Sequence, residues 1–488
     1  YESISGQINT ELIKPINDIP FFLNAYGSTD SRFELNTHFN TQLSQKWSSS
    51  LFVHGNTRVS KMDQNNDGFM DNPLAKQINV MNRYQYYDAE KGLVSFINFR
   101  YMNDKKQSGE VDFDPDRDRG ATNRWGSEIN TQRLDLATKV GYVFKDMPFQ
   151  SIGFQNAFTL HNQNSYYGLN VYDIKQNSFY SNLIFNSIIN NTKHKFATGI
   201  NFAYDNYNEF VGLTDYGRVD NSVGTFFEYT YDNDDNFSLV LGGRVDNHNR
   251  LGTFVTPRLH LRYNPWEKSV LRFSAGRGKR AANIFAENQS LFASSRTFSI
   301  LDTDGKIYGL NPEIAWNYGL SFNQKFQLFG RNGDAGFDLY RTDFQNQAVV
   351  DVMQSPQQVL FYNLKGKSYA TSLQIEFNYE LANRFSLRSA YKYYDIQTQY
   401  LSGVYQRPLQ AKHRFFGNLE YETGRSESGS QWRFDATYNW LGKQQLPVTA
   451  SNPAQDRLPE FSPSYNLINA QVTHVFSSNF EISMEGEN

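Results

Sequence analysis

Oxygen-bearing side chains at alternate positions are the sharpest chemical feature of this sequence. Asp63, Asn65 and Asp67, followed by Gly68, Phe69 and Asp71, fit the spacing D-x-N-x-D-G-x-x-D. Oxygens at the first, third and fifth positions can surround a hard cation such as Ca²⁺. The turn that Gly68 permits would bring round the Phe69 carbonyl and the Asp71 carboxylate. Leu74 stands where a full helix-loop-helix calcium site carries its bidentate Glu, and acidic Asn/Gly loops also occur as plain solvated turns. A structural Ca²⁺ stiffening an outer loop is the expectation, and a solvated turn is the alternative.

A second kind of chemistry is positive charge. Arg277, Lys279 and Arg280 stand where a strand pattern gives way to a long polar segment, and a basic mouth attracts an anionic ligand through its focused potential. They are the candidate substrate-binding residues; contact with lipopolysaccharide or pairing with acidic side chains are the alternatives. Asp112, Asp114, Asp116 and Asp118 interleave with Arg117 and Arg119 and read as a solvated loop of mixed charge, without a ligand. Catalytic chemistry has little to stand on. The chain has no Cys, its 8 His fall in no H-E-x-x-H arrangement, and G-x-S-x-G does not occur. No catalytic residue and no required cofactor are expected.

The elements that carry these residues are strands. Trp432, Phe434, Ala436, Tyr438 and Trp440 alternate with Arg433, Asp435, Thr437 and Asn439. Leu373, Ile375, Phe377, Tyr379 and Leu381 alternate with Gln374, Glu376, Asn378 and Glu380, and Phe480, Ile482, Met484 and Gly486 with Glu481, Ser483, Glu485 and Glu487. A period of two puts one apolar and one polar ribbon on each strand. Short connections rich in turn residues fall at 89–92, 145–148, 190–193, 232–235, 264–267, 330–333, 382–384 and 477–479. Between them lie longer polar segments at 56–73, 103–128, 204–221, 276–312, 394–407 and 441–462. Tight turns at one end and long loops at the other characterise an outer-membrane barrel, with its short periplasmic turns and long extracellular loops. A soluble sandwich has no reason to keep that asymmetry.

Composition agrees. No window reaches the run of about 18 apolar residues that a membrane-spanning helix needs, so spanning elements must be strands. Aromatics make up 16% of the chain, 40 of them Phe and 31 Tyr, while mean hydropathy is only -0.63. A barrel around a wet lumen reconciles the two, because only alternate residues meet lipid. Trp47, Tyr142, Trp316, Trp432 and Trp440 suit an interfacial aromatic girdle. The net charge of -3 argues against a nucleic-acid partner. The fold expected is all-β: a transmembrane antiparallel β-barrel with about 21 of 22 strands. The alternation at 481–487 runs to the chain end, so a final strand is expected after Asn488.

The chain also resembles a known family. The opening segment 2–15, ESISGQINTELIKP, is similar to the last plug strand of TonB-dependent receptors. Residues 271–283, LRFSAGRGKRAAN, with Leu310-Asn311-Pro312-Glu313 and Trp316-Asn317-Tyr318-Gly319, resemble a barrel strand, a large outer loop and the next strand. Residues 480–488 resemble the penultimate strand. Loop style and the Asn- and Tyr-rich composition look like receptors of the Bacteroidetes group.

The resemblance implies residues 1–15 as the end of a plug domain and 16–488 as a barrel truncated before its final strand. It further implies uptake of a scarce nutrient, foremost a metal chelate such as an iron-siderophore. The family's energy source is TonB, recruited through an N-terminal segment not found in this sequence. Partners would be that protein, outer-membrane lipid, lipopolysaccharide and a small ligand. A passive channel or a loop-mediated binding barrel is the runner-up, and a secreted glycan-binding module is a third reading.

Overall fold

The computed structural model describes residues 4, 11–16 and 18–487. Of its 26 strands, five are short pieces of the loop end: Thr214–Asp215, Thr297–Ile300, Ala348–Asp351, Gln358–Asn363 and Gly403–Gln406. The remaining twenty-one run from Phe21–Gly27 to Phe480–Gly486 as one antiparallel meander, each paired with its predecessor and successor. That is the count the periodicity predicts. Most of segment 1–15 lies outside the described residues, and 11–14 carry no regular structure.

Register transmits each face from strand to strand. Phe337 stands opposite Ile375 and Leu339 opposite Leu373; Tyr421 faces Phe434, which faces Val472. Directly opposed residues share a face, so these pairs build a continuous apolar exterior. Ile375, Phe377, Trp432, Phe434 and Tyr438 are all exposed on it. Apolar area costs about 25 cal/mol per Å² in water, and the stable solution is to bury the ribbon in lipid. The other face is polar and internally bonded. Asn418 Nδ2 donates to Asp435 Oδ2 at 2.8 Å and to Thr437 Oγ1 at 3.0 Å, and Gln471 Nε2 donates to Thr473 Oγ1 at 3.0 Å.

Tight turns occupy one end throughout. The hairpin expected at 330–333 turns earlier, at Phe329 and Gly330, with φ of 50° and 75°. Two consecutive positive φ values match the right-handed strand twist, and Gly333 is already within the strand Arg331–Asn346.

At the other end the structure corrects the reading of long loops. Leu93–Gly109, Gly126–Val143, Ser151–Tyr167, Asn170–Ile189 and Asn191–Val211 run for 17, 18, 17, 20 and 21 residues. About ten residues suffice to cross the hydrocarbon, so these strands stand well clear of the bilayer. Residues 103–109 and 126–128, and most of 204–221, are therefore sheet rather than loop. Among the described residues, no helix is long and apolar enough to cross a membrane.

Candidate functional site

The site lies at the loop end, where two outer loops fold into a small domain of their own. Thr297–Ile300 runs parallel to Gln358–Asn363, which pairs antiparallel with Ala348–Asp351. This three-stranded sheet and the 3-10 segment Ala286–Ala293 close over a cluster containing Ile284, Phe285, Phe292, Val349, Val359 and Phe361. Tyr172, Ile174 and Tyr400, from the projecting strand ends, complete it. The main buried apolar core of the molecule is thus this cap, while the barrel wall turns its apolar side outward.

Buried polar groups pin the cap to the wall. Glu209, 1% exposed, accepts hydrogen bonds from Tyr172 Oη at 2.9 Å, from Arg218 Nη1 at 3.3 Å and from Tyr308. Arg218 also donates to Asp220 Oδ2 at 2.9 Å and to the loop residue Asn283, and its guanidinium lies 4.0 Å from the Tyr207 ring centre. Burial and then the Glu209 charge push the Tyr308 phenol well above its usual value, so it stays a donor.

Asp351, fully buried, accepts from Tyr362 Oη at 2.6 Å and from the Met353 and Gln354 amides at 2.8 and 3.0 Å. Burial, followed by the Asp351 charge, raises Tyr400 to about 12. Sequence reasoning missed all of these residues. The signal was there, in apolar runs such as Ala348-Val349-Val350 and Val359-Leu360-Phe361 inside segments of polar character.

The predicted basic trio is not brought together. Lys279 Nζ donates to the Leu251 carbonyl at 2.9 Å and lies 4.5 Å from the Phe254 ring centre. Arg277 reaches Gln345 Oε1 at 3.3 Å and the Val255 carbonyl at 3.4 Å. Arg277 stands opposite Trp316 on the outer face, whereas Arg280 stands opposite Glu313 on the inner one. Arg280 donates to Glu313 Oε2 at 2.7 Å and grips both oxygens of Glu287 at 2.8 Å. It is a cap pin of the same kind as Arg218, and its charge is spent within the chain.

The loop Asp63–Asp71 folds on its own backbone. Asp63 accepts from the Asp67 and Gly68 amides at 3.1 and 3.0 Å, Asn65 Oδ1 from the Asp67 amide at 3.1 Å, and Asp67 from the Phe69 amide at 2.8 Å. Asp71 Oδ2 accepts from the Gln64 amide at 2.8 Å. Among the described residues no three acidic or His side chains group as metal ligands. In the Asp112–Arg119 run, Pro115–Asp118 forms one helical turn capped by Asp114. Asp118 is buried, gripped by Arg117 at 2.8 and 2.7 Å and by the Asp114 amide at 2.9 Å. Those bonds hold its carboxyl well below the usual range, so this segment is an ordered turn and not a merely solvated one.

A wide antiparallel wall, an apolar exterior, tight turns at one end and a folded cap at the other describe a capped outer-membrane barrel. A family profile described as TonB dependent receptor-like, beta-barrel, matches residues 13–488. The chain belongs to this TonB-dependent receptor family. The receptor is accordingly a protein of the outer membrane, as its strand pattern implies.

Its fold is similar to FpvAI in a complex with pyocin S2, with a TM-score of 0.71 at 12% identity over 95% of this chain and 65% of that one. A variant of the ferric enterobactin receptor PfeA from Pseudomonas aeruginosa gives 0.69 at 11%, over 96% and 74%. The alcaligin outer membrane receptor FauA from Bordetella pertussis gives 0.66 at 13%, over 98% and 74%. The receptor chain thus spans less than two thirds of the first of these and about three quarters of the other two. No curated protein matches it in sequence.

Proposed function

We propose that the receptor takes up a metal chelate of the ferric-siderophore kind, with transport energised through TonB. The observation that carries this reading is the folded cap, whose core and buried ion pairs fix two outer loops over the barrel mouth. A passive pore gains nothing from a rigid lid at its entrance, whereas a receptor for a scarce ligand gains a preformed capture surface. The names of the ferric enterobactin and alcaligin receptors, which share the fold, favour a chelate as the ligand class.

The inner wall suits a barrel filled by a plug. Asn98 Oδ1, His161 Nδ1 and Asn182 Oδ1, on the inward faces of their strands, are buried atoms without a hydrogen-bond partner among the described residues. Groups of this kind find partners in a polar plug surface or in water. The test is uptake of radioactive iron, supplied as a panel of ferric chelates, by cells whose only receptor is this one. Uptake of one chelate that stops on dissipating the proton-motive force supports the proposal. Passage of small solutes that persists without that force would instead make the protein a passive channel.

A further inference from the structure

The tight-turn end of the lumen carries charge of its own. Arg258 and Arg262, on the strand Gly252–Tyr263, and Arg272, on Ser269–Arg280, are exposed on one face of the wall. We propose that these arginines form a binding site for a multivalent oxyanion, a polycarboxylate or a phosphate, at the periplasmic end of the lumen. Its natural occupant is a negatively charged chelate leaving the barrel, and this link to cargo rests on the uptake reading above.

Three observations carry it. The first is direction. Leu261 stands opposite Phe273, Phe273 opposite Leu320, and Leu320 opposite the outward Leu339. The alternate residues Arg258, Arg262 and Arg272 therefore face the lumen. His260 and Ser274, directly opposed, share that face. Arg262 immediately precedes the last residue of its strand, and Arg272 lies three residues after Ser269, so the pair stands within about 10 Å of the tight-turn end. This is the end away from the cap.

The second is the lack of compensation. Elsewhere on the inner face arginines are held by carboxylates: Arg133 by Asp135 at 2.9 Å, Arg244 by Asp246 at 2.6 Å and Arg280 by Glu313 at 2.7 Å. Among the described residues, the side chains of Arg258, Arg262 and Arg272 make no ion pair and no hydrogen bond. Glu228, Asp232 and Asp338 share the face but stand two strands away, across Gly242, Ser238 and Ser321. That is a gap of about 10 Å.

The third is register. Arg262 and Arg272 stand directly opposite one another, which places their Cβ atoms about 5 Å apart. Like charges so placed repel and cost stability, and no acid of the described chain relieves them. A multivalent anion between the two turns the repulsion into two charge-assisted contacts, because planar guanidinium forks match carboxylate and phosphate oxygens in pairs. A singly charged anion leaves one positive charge unmatched. Arg258, flanked by Gly242 and Gly276, extends the positive potential up the wall, and His260 and Ser274 add hydrogen-bonding groups.

The experiment uses the receptor purified from outer membranes, with citrate and inorganic pyrophosphate as probes and acetate as the singly charged control. Thermal unfolding at low ionic strength is followed for the natural receptor, for Arg272→Gln and for Arg262→Gln/Arg272→Gln. A melting temperature that citrate and pyrophosphate raise, and acetate does not, supports the proposal. Citrate affinity should weaken about tenfold in Arg272→Gln, as loss of one charge-assisted contact requires. Without anion that variant should melt no lower than the natural receptor, because the repulsion is gone. A citrate response that survives in the double variant overturns the site. Absence of any response in the natural receptor does the same, and would assign the arginines to an acidic surface of a domain inside the lumen. Cargo is tested by iron uptake: entry of a negatively charged ferric chelate should fall about tenfold in the double variant, with its binding to whole cells unchanged. Undiminished entry overturns the link to cargo. Entry of no chelate, even through the natural receptor, refutes the uptake reading, while the citrate result decides the site independently.

Discussion

At the residue scale, the charged groups of the outer end mostly serve the fold. Arg280 illustrates this: its three bonds to Glu313 and Glu287 pair its charge with carboxylates of the same chain. Arg280→Gln strands Glu313, a buried carboxylate, and should destabilise the cap by about 2 kcal/mol. Faster amide exchange across residues 281–312, with ligand affinity falling only through cap loosening, is the expected result. Affinity lost with cap exchange unchanged would return Arg280 to the binding surface.

Asp118 supplies the pH prediction. Its folded pKa lies below the ordinary 3.8, so its stabilisation is complete above that value and is lost as pH falls through and beneath it. Loop 110–125 should keep its exchange protection at pH 5 and lose it under strong acid, while Asp118→Asn should be unprotected at both. For the Asp63 loop, amide capping predicts that Asp63→Ala speeds exchange at Asp67 and Gly68 equally with calcium and with a chelator. Protection of the natural loop that depends on calcium would show instead that the oxygens hold a metal.

These side-chain roles were the least legible part of the sequence. Spacing shows which groups can approach one another along the chain, and it placed Arg277, Lys279 and Arg280 correctly at a strand end. It does not show that residue 280 faces inward and 277 outward, or that 279 is buried over Phe254, against neighbours some twenty to seventy positions away.

At the scale of elements, the strands were legible where one face meets lipid, because there the two ribbons differ sharply in polarity. Above the bilayer both faces meet water and the contrast vanishes. Asn103 pairs with Gln132, which pairs with Asn162, which pairs with Lys175, so an outward row is as polar as the inward one. Alternation then stops signalling a strand, and these stretches read as loops. The cap was hidden for a different reason. Its parallel pairing joins residues 297–300 to 358–361, a contact across a whole hairpin that no local pattern encodes. Phe361→Ala, at the fully buried centre of that sheet, should cost the cap about 3 kcal/mol. Limited proteolysis should then cut within 281–312 and 347–367 while the barrel stays heat-modifiable. Unfolding of cap and barrel together would show that they are one cooperative unit.

At the scale of the whole molecule, everything depends on which side of the wall is greasy. The natural chain has no Cys, so single cysteines report without background. The decisive measurement is a cysteine scan along Gln431–Leu441 in proteoliposomes, each position carrying a fluorophore challenged by a bilayer-resident and by an aqueous quencher. Labels at Phe434, Ala436 and Tyr438 should respond to the lipid quencher, as an outward apolar ribbon in a bilayer requires. Labels at Arg433, Asp435 and Thr437 should respond to the aqueous one, in strict alternation. Equal response of both sets, or an apolar set shielded from lipid, would contradict a membrane barrel.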